Sequence, residues 1–453
     1  KKRPVPAYVS PQCQYFVKRK KRLCRMTVKP GKQYCGEHEP QPKTGDGQDD
    51  TRIPCPNDPK HTCYASKLEK HLSICNARQQ EQPDYLMHQV NAPAVAEECP
   101  RLPLSKTPLK RILQVIDKVN ALYETYLKDK ISTLTDQPIH SAVLPEFNEA
   151  GRTESSLRHL RQASSLLHVV EEEELVANNT AYVELGAGKG HLSYYAWYAW
   201  CQNAASRVVL VDRASLRHKR DNNLERNPNN NEICDNLSHL DDKMMGSDLK
   251  TNPNIDEFSE KLNDLDDKDK TGVGDSTCEW NVHRIRADLA HLVLERVPAV
   301  RACGAVVGYA KHLCGVATDL ALRCVTSTGV VDKVRGVVVA SCCHHRCERA
   351  VYPATALLQK LGINADDFNA LLGIVSWATC GDGRSRDRHE LGTKKLDLSR
   401  EQRELVGRRA KALLDWGRTL YLRECGFDAR LVYYVPPGVS LENVCIVATK
   451  VLH

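Results

Sequence analysis

Val183-Glu-Leu-Gly-Ala-Gly-Lys-Gly190 decides the fold. Apolar residues run into three closely spaced glycines with a helix-forming segment behind them, the pattern of a β-strand ending in a glycine-rich turn. Gly186, Gly188 and Gly190 let the backbone approach a ligand closely and adopt positive φ. The next apolar run, Arg207 to Val211, ends at Asp212, where a carboxylate can accept hydrogen bonds from a ribose diol. A dinucleotide-binding fold uses the same parts, but the third glycine of Gly-x-Gly-x-x-Gly would fall on His191. Glu184 at the entry to the turn suits S-adenosylmethionine, whose amino-acid end would meet this loop in place of a pyrophosphate. These residues point to an α/β, Rossmann-like, S-adenosylmethionine-dependent methyltransferase domain. A nicotinamide or flavin site, and a purely structural strand–turn–helix, are the alternatives.

The alternation of strands and helices continues on both sides. Leu109, Ile112, Leu113, Ile116, Val119, Leu122, Tyr123 and Tyr126 recur at helical spacing, and a second helix is expected from Leu157 to Ala177. Strands are expected at Val282–Ala287, ending at Asp288; at Ala305–Tyr309, ending at Lys311-His312-Leu-Cys314-Gly315; and at Gly336–Ala340, ending at Ser341-Cys-Cys-His-His-Arg-Cys347. A helix from Ser399 to Glu424 precedes two β-rich segments, Ala429–Val435 and Val444–Val451, with Pro436-Pro-Gly438 read as a tight hairpin turn. Parallel βα units closed by an antiparallel pair favour a methyltransferase sheet over a dehydrogenase sheet.

The 453 residues and their charge of +7 conceal a segregation. Residues 1–38 hold eleven Lys or Arg against the single acid Glu37. Residues 228–281 hold fourteen acids against five Lys, a surplus of nine; setting them aside raises the remainder from +7 to +16, which suits a polyanion such as nucleic acid. That acidic, apolar-poor stretch reads as a disordered insertion. No apolar run is long enough for a signal segment or a membrane span, and the absence of an initial Met fits a trimmed leader. Nineteen cysteines, clustered with histidines, read as reduced thiols and metal ligands in a nuclear or cytoplasmic protein that is not secreted.

Two metal sets occupy the front. Cys55, His61, His71 and Cys75 follow Cys-x5-His-x9-His-x3-Cys, with His71 and Cys75 one helical turn apart and Cys63 placed outside the shell. Four borderline ligands in so short a unit suit tetrahedral zinc, and the unit cannot bury enough core to fold without it. Cys13, Cys24, Cys35 and His38 form a second set, so two structural zinc ions are expected. Lys18-Arg-Lys-Lys-Arg22 fills its first loop beside Tyr15, Phe16 and Tyr34, a combination able to grip phosphates and stack on bases. The expected organisation is therefore 1–40 and 53–78 as zinc modules, 79–156 as linker and helical region, and 157–453 as the methyltransferase domain.

Ligands in doubly wound folds lie at the carboxyl ends of the strands, which gathers the glycine loop, Asp212, Asp288, Lys311, His312 and the Cys342–Cys347 cluster around one crevice. Asp288 sits where an acid can meet an adenine amino group. Lys311 or His312 could act as base, because a desolvated Lys titrates low and His titrates near neutrality. His344 or His345 could hydrogen-bond the methyl acceptor. Adjacent residues on an emerging strand point to opposite sides, so Cys342, Cys343, His344, His345 and Cys347 favour a substrate pocket over a third metal site. Cys380 reads as a core cysteine.

With these motifs together, the chain resembles, over nearly its whole length, the eukaryotic tRNA 2′-O-methyltransferase family that modifies the fourth nucleotide of the acceptor stem. The resemblance rests on the Cys-Cys-Cys-His and Cys-His-His-Cys fingers, Glu-Leu-Gly-Ala-Gly-Lys-Gly, Lys-His-Leu-Cys-Gly and Cys-Cys-His-His-Arg-Cys. It implies S-adenosylmethionine as donor and the acceptor stems of tRNA for Gly, Pro or His as substrates. The acidic insertion departs from the common core, and the Lys-Asp-Lys-Glu tetrad of other ribose methyltransferases does not map onto this sequence. A zinc-finger RNA-binding or splicing-associated protein with an inactive domain is the rival expectation, and a protein or DNA methyltransferase stands third.

Overall fold

The computed structural model describes residues 12–17, 22–28, 31–35, 38, 52–75, 82–93, 101–202, 205–216, 219–225, 281–379 and 396–451. The acidic stretch expected to be disordered lies outside the described residues except for Asn281, as do Lys18–Lys21 and Cys380. The chain divides into two units, 1–82 and 83–453.

In the first unit, β1 (Phe16–Val17) and β2 (Arg22–Leu23) form a short antiparallel ribbon. Further on, β3 (Arg52–Cys55) pairs antiparallel with β4 (Asp58–Tyr64), and a helix, Leu68–Ile74, follows. That helix contains no buried residue, so apolar packing contributes little to it.

The second unit is built on an eight-stranded sheet. Its strands are β5 (Ser132–Thr133), β6 (Thr180–Leu185), β7 (Arg207–Asp212), β8 (Val282–Arg286), β9 (Ala305–Cys314), β10 (Val334–Cys342), β11 (Phe427–Tyr433) and β12 (Val444–Lys450). They lie in the order β5-β11-β12-β10-β9-β6-β7-β8. The run from β10 to β8 is parallel, and β12 is antiparallel to both β10 and β11. The chain reverses direction across the sheet between β6 and β9, and such a switch point opens a ligand crevice at the carboxyl edge.

Alternation along each strand feeds two cores. Ala181, Val183 and Leu185 of β6 join Val337, Val339, Ile446 and Ala448 on one face. There they meet the helices Leu109–Tyr126, Val316–Val325, Ala365–Ile374 and Arg400–Glu424. Tyr182, Val208, Leu210, Val307, Tyr309 and Val338 face the other way, against Glu154–Glu172 and His191–Trp200. Because both faces are covered, β6 is buried at every position, and its two polar residues, Thr180 and Glu184, are buried with hydrogen bonds of their own.

Several boundaries differ from the sequence expectation, β10 spanning Val334–Cys342 and β11 Phe427–Tyr433 among them. The helix expected at 157–177 runs from Glu154 to Glu172, started by Thr153, whose hydroxyl accepts from the Ser156 amide at 3.2 Å. Strand β9 does not stop at Tyr309 but continues to Cys314, so Lys311 and His312 lie within it. Pro436-Pro-Gly438 is not a tight hairpin turn: β11 and β12 are joined through residues 434–443, and Val439 donates back to Pro436 as a local turn inside that longer loop. No helix among the described residues is long and apolar enough to cross a membrane.

Candidate active site and metal centres

The glycine turn leaves β6 with Gly186, Gly188 and Gly190 at φ of 76°, 53° and 76°. The three glycines do different work. A Cβ on Gly186 would meet Leu313 Cδ1 at 2.7 Å, and one on Gly190 would meet Leu210, Arg284 and Asp221 at 2.8–2.9 Å. A Cβ on Gly188 would meet nothing within 4 Å. Gly186 and Gly190 thus admit protein side chains, while Gly188 alone presents open backbone to a ligand. The Gly188 amide donates to Asp212 Oδ2 at 2.8 Å, and the Ala214 amide donates to Oδ1 at 2.7 Å, so Asp212 ties the two adjacent strand ends together. A cleft of about 310 Å³ opens beside Asp212, walled by Lys219, Asp221, Asn222, Arg284 and Arg286. Open backbone at Gly188 and the Asp212 carboxylate at the adjoining cleft fit the amino-acid and ribose ends of S-adenosylmethionine.

Glu184 is buried, and its carboxylate accepts from both the amide (3.0 Å) and the hydroxyl of Ser193, whose hydroxyl also lies 2.9 Å from Tyr309 Oη. Burial pushes its acid up to about 7 against the pull of Ser193. In this state Glu184 anchors the first turn of the His191–Trp200 helix behind the loop. Asp288 caps the short helix after β8 by accepting from the Ala290 amide at 3.0 Å, and its carboxylate is 37 % exposed at the crevice.

Lys311 and His312 stand on the same edge. Ala340 pairs with Lys311 and Ser341 with Leu313, so His312 is an extra residue in β9, a β-bulge. It takes φ 59°, the left-handed region that few residues other than glycine adopt. Its Nε2 is buried with no hydrogen-bond partner among the described residues, and burial lowers the imidazole to about 4, so it is neutral near pH 7. Lys311 Nζ donates to the His159 carbonyl at 3.0 Å, and desolvation lowers the amine to about 8. His159, which packs edge-on to His312, carried no signal in the sequence beyond its place on a helix.

The Cys342–Cys347 segment separates on folding. His344 turns inward, with Nε2 2.8 Å from Asp415 Oδ2, while Ser341 Oγ donates to Oδ1 at 2.9 Å. Arg418 bridges Asp415 (2.8 Å) and Asp319 (2.8 and 3.1 Å) and donates to Cys347 Sγ at 3.0 Å. Asp319, Asp415 and Arg418 are all buried, and His344 with Arg418 holds the Asp415 carboxyl well below its usual range despite that burial. His345 is exposed. Cys314, which the sequence reading left among the strand-end residues, meets Cys342 and Cys343.

Both front ligand sets assemble. Cys13, Cys24, Cys35 and His38 bring their ligand atoms within 4.8 Å of one another, with His38 Nδ1 3.2 Å from Cys35 Sγ and 3.5 Å from Cys13 Sγ. Cys55, His61, His71 and Cys75 do the same, with 3.7 Å between the two sulfurs and 3.1 Å between the two Nε2 atoms. Cys63 is buried in this module but outside the four-residue group. Four soft or borderline donors converging in units with so little core fit zinc.

Residues 161–449 match the family described as "Methyltransferase TRM13". Residues 11–39 match "CCCH zinc finger in TRM13 protein", and residues 52–76 match "U11-48K-like CHHC zinc finger". Among curated proteins, the Homo sapiens "tRNA:m(4)X modification enzyme TRM13 homolog" is 30% identical over 96% of this chain and 94% of its own length. The Mus musculus protein of that name is 29% identical with the same coverage, and the Saccharomyces cerevisiae "tRNA:m(4)X modification enzyme TRM13" is 24% identical over 97% and 96%. A mostly parallel sheet with an open glycine turn, two Cys/His clusters of zinc type and likeness along almost the entire chain agree: this protein belongs to the TRM13 methyltransferase family, whose chemistry implies S-adenosylmethionine.

Proposed function

We propose that this protein methylates the ribose 2′-hydroxyl of nucleotide 4 in the acceptor stem of tRNA, with tRNA for Gly, Pro and His as substrates. The relatives' names speak for tRNA as the acceptor, and the basic front of the chain suits a polyanion. The observation that carries the ribose assignment is the placing of Lys311 and His312 side by side towards the end of β9, with the Lys311 amine held by the His159 carbonyl. A ribose hydroxyl is a poor nucleophile until its proton is taken, and a Lys lowered to about 8 can take that proton near neutral pH.

S-adenosylmethionine, when bound, supplies an electrophilic methyl group. The Gly188 backbone and Asp212 would hold it, and Asp288 would meet its adenine. Lys311 is the base in this reading, placed by the His159 carbonyl, and His312 lines the acceptor side with a nitrogen that has no partner among the described residues. His344 is left out of proton transfer because Asp415 already engages it. Residues 1–40 and 53–78 are the tRNA-facing modules, 79–156 joins them to the catalytic region, and 157–453 holds the chemistry. Cysteines grouped with histidines as metal ligands support a nuclear or cytoplasmic location.

The test is transfer to unmodified tRNA transcripts followed by mass mapping of the nucleosides. A 2′-O-methyl mark at nucleotide 4 is expected; a methylated base, or no transfer by folded protein, overturns the proposal.

A further inference from the structure

Cys314, Cys342 and Cys343 bring three sulfurs within 4.8 Å of one another at the carboxyl edge of the sheet, outside both finger modules. Three backbone features make this convergence. The bulge at His312 shifts the phase of β9 so that Cys314 pairs in register with Cys342 on the neighbouring parallel strand. Beyond Cys342 the strand ends, and Cys343 takes the left-handed conformation, φ 48°. That turn lifts the alternation that would otherwise send neighbouring side chains to opposite faces. Gly315, at φ 55°, then closes the corner by donating its amide to the Cys342 carbonyl at 3.1 Å, in a position where a Cβ would strike Arg346. Two strained non-glycine residues and a glycine corner are a costly way to place thiols side by side unless the thiols share a ligand.

We propose that these three cysteines form a third metal site, taking zinc through three thiolates. Soft sulfur donors select zinc among the common divalent ions. Cys342 is buried while Cys314 and Cys343 are half-buried, which leaves a fourth position open to solvent or a bound molecule. Cys314 and Cys342 stand 2.8 Å apart; bonds of about 2.3 Å to a tetrahedral ion would spread them by about 1 Å, within the reach of side-chain torsions. Each thiol yields its proton to solvent as its sulfur–zinc bond forms, so loading releases up to three protons per ion. The ion would lock the ends of β9 and β10 together, beside Lys311 and His312.

Zinc content of the full chain, purified under reducing conditions, tests this. A variant with both finger sets broken, Cys35→Ser with Cys75→Ser, is expected to keep one zinc per chain. Adding Cys343→Ser should remove it. Cobalt in that finger-broken variant should show thiolate charge-transfer absorption that vanishes with Cys343→Ser. Less than a tenth of an equivalent of zinc in the finger-broken chain overturns the site, as does retention of the ion after Cys314→Ser, Cys342→Ser and Cys343→Ser together. A wild-type mass 2 Da low, localised to a Cys314–Cys342 disulfide, overturns it too.

Discussion

Gly188 and Gly190 occupy the same turn with the same left-handed backbone, yet their side-chain space is opposite, and substitution should separate cofactor affinity from stability. Gly188→Ala places a methyl group in open space, so its folding cost is the left-handed penalty of about 1–2 kcal/mol while S-adenosylmethionine affinity, read by calorimetry, falls at least tenfold. Gly190→Ala drives a methyl group into Leu210, Arg284 and Asp221, and denaturant unfolding should show the larger loss. Equal stability losses with unchanged affinity in Gly188→Ala would remove the loop from the cofactor site. Glu184 makes a pH prediction. Its acid stands at about 7 folded and 4.5 unfolded, so the folded state holds the extra proton between those values and stability falls as pH rises through that window. The loss should be on the order of 3 kcal/mol and should disappear in Glu184→Gln. For Lys311, with its amine at about 8, turnover should rise with pH through that value as the neutral base forms. Lys311→Ala should lower kcat with little change in cofactor or tRNA binding. A folded Lys311→Ala protein with normal turnover would move the search to His312.

At the scale of elements, the Arg400–Glu424 helix and the loop after β10 are joined through charge. Arg418 sits between Asp319 and Asp415, and both carboxylates are buried. Arg418→Ala leaves two buried carboxylates without their cation and should cost about 3–5 kcal/mol in denaturant unfolding. A cost below about 1 kcal/mol would mean that His344 and Ser341 suffice to hold Asp415. The Leu68–Ile74 helix has the opposite economy, having no buried residue of its own. His71→Ala should therefore release one zinc per chain and abolish ordered structure in residues 53–75, with cofactor affinity unchanged. Unchanged zinc content in that variant would show that His71 is not a ligand.

For the whole molecule, the charge segregation predicts that the basic front contributes to binding more than to chemistry. Neutralising Lys18, Arg19, Lys20, Lys21 and Arg22 should weaken tRNA binding without changing kcat. Each lost phosphate contact should reduce the log–log salt slope by about 0.9, the duplex-DNA value. A slope unchanged after five neutralisations would place the phosphate contacts elsewhere. The division into units at 82 and 83 means that cofactor affinity should be indifferent to those changes.

The sequence alone determined the class of sheet, the glycine turn and both four-residue ligand sets, because each is a local pattern: periodicity, glycine spacing, or donors only tens of residues apart. It also singled out Lys311 and His312 as candidates, whose residue types are unusual in an apolar strand. Tertiary structure decided what local pattern cannot carry. Which of three similar glycines faces open space depends on Leu313, Leu210 and Arg284 arriving from other strands. His344 and Cys347, which look like ligands in a row, are claimed by Asp415 and Arg418 of a helix some seventy residues later. Cys314 reaches Cys342 and Cys343 only because a one-residue bulge and a left-handed turn reset the alternation of two parallel strands. A strand's side-chain direction follows from its register, and register is set by the neighbouring strand, which the sequence of either one does not contain.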